Sequence, residues 1–113
     1  MSAARNEDPA QPADHAVVDN QAARQFELTA DGATAFVAYE FAGQRITFTH
    51  TDVPDQFRGK GVGSALVRGA LDLARERGLE VVPVCEFVAA WVRRHPAYLD
   101  LVSESDRHYL NSD

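Results

Sequence analysis

The chain first changes its hydrophobic period just after Pro54, and a glycine-rich loop sits at the change. Upstream of Pro54, Gln25 to Ala30 sets Phe26, Leu28 and Ala30 against polar neighbours. Gln44 to Val53 sets Ile46, Phe48 and His50 on one face and Thr47, Thr49 and Thr51 on the other. Alternation of this kind marks a half-buried strand. Downstream, apolar or small residues fall at Val62, Ala65, Leu66, Gly69, Ala70, Leu73 and Ala74, the spacing of an amphipathic helix. Arg58-Gly59-Lys60-Gly61-Val62-Gly63-Ser64 joins the two regimes.

The flanking punctuation completes an element order. Asp31-Gly32 reads as a two-residue hairpin turn, because both central positions of a type I′ turn need positive φ. Ala33 to Ala42 is β-branched and aromatic and ends at a second turn, Ala42-Gly43, so the first three strands form an antiparallel meander. Pro54 stops the third strand, having no N–H for a ladder. The helix from Val62 closes with Arg75 and Arg77 in its last turn and Gly78 beyond it, as dipole and C-cap preferences require. Leu79 to Cys85 reads as a buried strand, and Glu86 to His95 as a second helix halted by Pro96. The predicted order is β-β-β-α-β-α, a mixed α+β fold.

Length and composition bound the rest. A chain of 113 residues makes one domain. All ten aromatics lie from Phe26 onward, so residues 1–25 are expected to be a disordered tail, 26–102 the folded domain, and 103–113 a polar end that frays or packs as one last turn. There is no run of about 18 apolar residues to span a membrane, and no apolar stretch near the N-terminus to serve as a secretory signal. A net charge of -6 argues against nucleic acid and anionic membrane as partners. The single cysteine, Cys85, has no partner for an internal disulfide, which fits a cytoplasmic location.

The loop carries the chemistry. A helix start exposes unpaired N–H groups and about half a positive charge, and glycines let that backbone approach an anion closely. The combination suits a phosphate or diphosphate, and Arg58 and Lys60 add positive charge. A tight glycine turn without a ligand is the bland alternative. Two phosphate motifs fail on spacing. A Walker A loop needs G-x-x-x-x-G-K-[ST], which is absent, and G-x-G-x-x-G would need glycine where Ser64 or Leu66 stands.

The pattern R/Q-x-x-G-x-G/A, here Arg58 to Gly63 after a strand ending Val53-Pro54, resembles the acyl-CoA-binding segment of the GNAT superfamily of N-acetyltransferases. With His50 to Pro54, Val81 to Cys85, Phe87 to Ala90 and Arg93 to Tyr98, the chain resembles a small, truncated branch of it. That resemblance implies a splayed sheet with acetyl-CoA as co-substrate in the gap and no metal. The amides of Gly59, Gly61, Val62, Gly63 and Ser64 would hold the diphosphate, with Arg58 and Lys60 beside them. The edge from Thr51 to Val53 would pair with the pantetheine arm.

His50 and Cys85 resemble the pair that flanks the acetyl group in that family. His50 would act as general base, and Cys85 as nucleophile or as acid for the leaving thiolate; packing roles for both stay open. Two residues depart from the family pattern. Glu86 stands where proline usually follows the cysteine, and no tyrosine occupies Ala89 to Arg94 to protonate the coenzyme thiolate. Arg93 and Arg94 read as a solvated helix end or as phosphate contacts, Trp91 and Tyr98 as core or pocket wall. The chain is too short for the usual acceptor-shaping elements, so the acceptor side should be open or completed by another molecule; an open cleft would admit a peptide terminus, a lysine or a polyamine, and the acidic balance favours cationic acceptors. The expected activity is acetyl-CoA-dependent acetylation of an amine. The alternative is a module that binds acetyl-CoA or coenzyme A with little or no turnover.

Overall fold

The computed structural model describes residues 17–111. Its centre is one sheet of five strands in the order β1-β2-β3-β4-β5. These are β1 (Val17–Asn20), β2 (Gln25–Ala30), β3 (Ala33–Ala42), β4 (Arg45–Asp52) and β5 (Glu80–Pro83). The first four run antiparallel to their neighbours, and β5 joins β4 in parallel. Helix α1 (Val62–Glu76) makes that crossover, and α2 (Glu86–Arg94) follows β5. Short 3-10 turns span Asp55–Phe57, Pro96–Leu101 and Glu104–Leu110.

The expected hairpin forms as its chemistry dictates, with Asp31 and Gly32 at φ 53° and 80°. Both helices pack on one face of the sheet. There Phe26, Leu28, Val37, Tyr39, Ile46 and Phe48 are buried against Leu66, Val67, Leu71, Val88 and Trp91. Each large apolar side chain so covered contributes about 1.5–3 kcal/mol.

Two expectations are corrected. The tail boundary at residue 25 is too late: Val17–Asn20 forms β1, while residues 1–16 lie outside the described chain. β1 is held by distant contacts. Asp19 accepts from Tyr39 at 2.5 Å and from Arg77 at 2.8 Å, and Val17 lies so close to Gly69 that a Cβ there would meet it at 2.6 Å. The order therefore gains a strand, β-β-β-β-α-β-α. Of the two outcomes expected for the polar C-terminal end, residues 103–111 take the second and pack: Asp106 is buried and pairs with Arg45, Leu110 is buried, and Arg93 donates to the Leu110 carbonyl at 2.9 Å.

The second correction concerns β4. Tyr39 pairs with Phe48 but Ala38 with His50, so Thr49 is an extra residue and β4 bulges there. A one-residue slip swaps the faces. Thr51, paired with buried Val37, joins Ile46 and Phe48 on the helix-covered face, and exposed His50 turns to the other with Phe36. Its ring centroid lies 6.0 Å from that of Phe36.

Candidate functional site

β4 and β5 part company at the C-terminal end of their pairing. Their register runs from Arg45 opposite Glu80 to Phe48 opposite Pro83, with one further bond from the Cys85 N–H to the Phe48 carbonyl at 2.8 Å. Pro83 has no N–H to offer, and the Val84 N–H turns back to the Val82 carbonyl at 3.0 Å. Among the described residues, β4 continues to Asp52 with its β5-side edge unpaired. The result is a notch between the two strands, next to the start of α1.

The loop at that helix start is anchored by the buried Phe57 ring. Phe57 donates to Pro54, Arg58 to Asp55 and Lys60 to Phe57, at 2.9, 2.9 and 3.0 Å. Ala65 makes the first bond back to Gly61, at 3.0 Å. Among the described residues, the amides of Gly59, Gly61, Val62, Gly63 and Ser64 have no acceptor, and no side chain caps α1. Gly61, the N-cap, sits at φ 75° with nothing within 4 Å of where a Cβ would be, so the turn is left-handed and open. Gly63 is glycine for another reason: a Cβ there would lie 2.7 Å from Cζ of Phe87 and 3.4 Å from Val53. The exposed Phe87 ring and Val53 therefore form an apolar wall beside the amides. Five unpaired donors, a positive helix end and an adjoining apolar wall fit a ligand with a diphosphate and a less polar arm.

The charged side chains divide. Arg58 pairs with Asp55 at 3.0 Å, both exposed, while Lys60 is exposed and without an ion-pair partner among the described residues. The Ser64 hydroxyl accepts from the Trp91 indole at 2.7 Å, tying α1 to α2. Trp91 is stacked by His95 at 3.7 Å and met edge-on by Tyr98 at 5.0 Å, so it is a buried strut with no free face.

At the notch, Cys85 is the N-cap of α2 and its thiol is buried. The sulfur lies 3.2 Å from Thr51 Oγ1. The structure brings Cys85 together with Thr51 and sends His50 to the opposite face of the sheet. Glu86 opens α2, where a carboxylate suits the dipole, and accepts from Arg93 at 2.9 Å. Arg93 is thus committed to Glu86 and the C-terminal turn, and Arg94 is exposed. Phe87 and the Thr51–Cys85 contact carry no sequence signal of a site. The first depends on which side of α2 meets the glycine loop, the second on the β4 bulge.

Residues 25–101 match the family described as GCN5-related N-acetyl-transferase. The chain belongs to that family, and it is an acetyltransferase domain by kind. It is similar to protein NATD1 from human, 36% identical over 76 residues that make up 65% of this chain and 67% of that one. A segment of 44 residues is 48% identical to streptothricin acetyltransferase from Streptomyces lavendulae, covering 39% of this chain and 23% of that one. The solution structure of a GCN5-like protein from Staphylococcus aureus superposes with a TM-score of 0.59 at 29% identity, over 71% of this chain and 81% of that one. The expected GNAT fold, with its sheet parting beside the loop, is the fold observed. No helix among the described residues is long and apolar enough to cross a membrane.

Proposed function

We propose that the protein binds acetyl-CoA at the glycine loop and the notch and transfers its acetyl group to an amine. The observation that carries this reading is the set of five acceptor-free amides at Gly59, Gly61, Val62, Gly63 and Ser64 beside a parallel strand pair that parts. The thioester supplies an activated acetyl carbonyl. The amides, with Lys60 and Arg58 nearby, hold the diphosphate, and Val53 and Phe87 cover the adjoining arm. The unpaired β4 edge around Thr51 and Val53 offers backbone groups to the pantetheine amides, as one strand does to another. A cytoplasmic location belongs to the same reading.

Cys85 and His50 remain the candidates for proton work, but as separate groups. They stand on opposite faces of the sheet at one end of the notch, which supports a division of labour over a cysteine–histidine pair. Cys85, on the covered face, supplies a proton to the leaving thiolate. His50, on the open face, accepts the proton of the attacking amine.

A second reading, a binding module with little turnover, is favoured by one observation: among the described residues, the Cys85 sulfur has a threonine and no histidine as its hydrogen-bond partner. An acceptor screen with radiolabelled acetyl-CoA, run beside calorimetry, separates the two. Label transfer that drops in Cys85→Ala and His50→Ala while acetyl-CoA affinity holds supports catalysis. Binding without transfer to any amine supports the module.

A further inference from the structure

We propose that the sheet face turned away from α1 and α2 docks the acceptor, and that the acceptor is a short linear di- or polyamine. This rests on the acetyl-transfer reading for the reaction, and on the face itself for the ligand. The registers set Glu27, Phe36 and Asp52 in one row across β2, β3 and β4, and Gln25, Ala38 and His50 in the next. Residues paired across strands share a face, so these six project together on the side opposite buried Phe26, Val37 and Phe48.

The face is acidic. Glu40, opposite Thr47, and Glu80, opposite Arg45, lie further along it. Arg45, the sole cation among its β2 to β5 residues, is already held by Asp106 and Glu80. Glu40 and Asp52 are exposed and have no ion-pair partner among the described residues. Glu27 is held in place by Asn20 and Gln25, whose amides donate to its Oε2 at 2.9 and 2.6 Å. The whole chain carries -6. A cationic occupant complements this surface on charge.

The rows also select its shape. Neighbouring strands lie about 4.8 Å apart, so Glu27 and Asp52 flank Phe36 at roughly 10 Å, the span of two ammonium groups on one chain. The Phe36 ring between them suits the intervening methylenes and a passing ammonium, and Ala38 leaves the next row low. Such a ligand runs across the strands, whereas an extended peptide aligns along a strand edge. The row ends at Asp52, next to His50 and the notch. An amine anchored at Glu27 therefore has its far end where the acetyl group would be delivered.

The test is an NMR titration of the full chain with spermidine in the absence of acetyl-CoA, repeated on Glu27→Gln and Asp52→Asn. Saturable shifts concentrated at Phe36, Ala38, His50 and Asp52 are expected. Each substitution should weaken binding about three- to five-fold, and raising the salt to about 0.3 M should weaken it further. Absence of saturable shifts, shifts on another face, or affinity in both variants equal to that of the unsubstituted chain overturns the proposal, as does saturation by a lysine peptide where spermidine fails. The readout uses no acetyl-CoA, so failure to bind the coenzyme would defeat the transfer reading and leave the amine site standing.

Discussion

Thr51 Oγ1 stands 3.2 Å from the Cys85 sulfur, while His50, the residue before it, faces the far side of the sheet. The bulge at Thr49 makes this exchange, and it assigns the thiol a hydroxyl neighbour. Thr51→Val should lower acetyl transfer about five-fold, the worth of a hydrogen bond of about 1 kcal/mol. Acetyl-CoA affinity should stay within about two-fold, and Thr51→Ser should restore the rate. Steady-state kinetics beside calorimetry check this. Equal rates in the Val and Ser variants would remove Thr51 from the chemistry.

The Trp91–Ser64 bond ties α2 to the turn that presents the free amides. Ser64→Ala leaves a buried indole N–H without an acceptor, at a cost of about 1–3 kcal/mol. Urea unfolding of the two proteins should show a loss in that range. No change in midpoint would mean that the indole finds another partner.

Gly63 meets Phe87 where a methyl group would need to go, at 2.7 Å from Cζ. Because Phe87 is exposed and its ring can swing, Gly63→Ala should fold normally and push the ring toward the notch. Acetyl-CoA affinity should fall, and Gly63→Ala combined with Phe87→Ala should recover part of it. Calorimetry on the three proteins decides, and a double variant no better than the single one would contradict this packing account.

Stability should fall at both ends of the pH scale through one contact. Burial pushes the Asp19 carboxyl up, but bonds from Tyr39, Arg77 and Gln21 more than offset it, leaving it below the ordinary 3.8. Burial, and then the bond to Asp19, push Tyr39 from 10.0 to about 12. Asp19 binds its proton less tightly folded than unfolded, so its contribution is complete above the ordinary value and is lost as pH falls through the folded one. Tyr39 holds its proton more tightly folded, so its contribution is complete below pH 10 and is lost as pH rises toward 12. Asp19→Asn should be less stable at pH 7 with a flatter acid limb, measured by urea midpoints across pH. An unchanged acid limb would show that Asp19 does not titrate with folding.

The elements legible in the sequence are those whose signal is local. Period-2 runs gave β2 and β4, β-branched and aromatic content gave β3, the turn chemistry of Asp31-Gly32 gave the hairpin, and the i, i+3, i+4 stripe gave α1. The glycine loop was legible because backbone donors at a helix start follow from chain geometry alone, whatever packs around them. β1 was hidden because Val17–Asn20 is short, lacks aromatics and is held by Gly69, Tyr39 and Arg77, each far away in the chain. The face of His50 was hidden because strict alternation assumes an unbroken ladder, and the ladder breaks at Thr49.

The central claim is that five backbone amides at the start of α1 grip the diphosphate of acetyl-CoA, and amide NMR reads them individually. On titration with acetyl-CoA, the resonances of Gly59, Gly61, Val62, Gly63 and Ser64 should move furthest and saturate together. Binding that leaves those five in place, or no binding at all, would contradict the account.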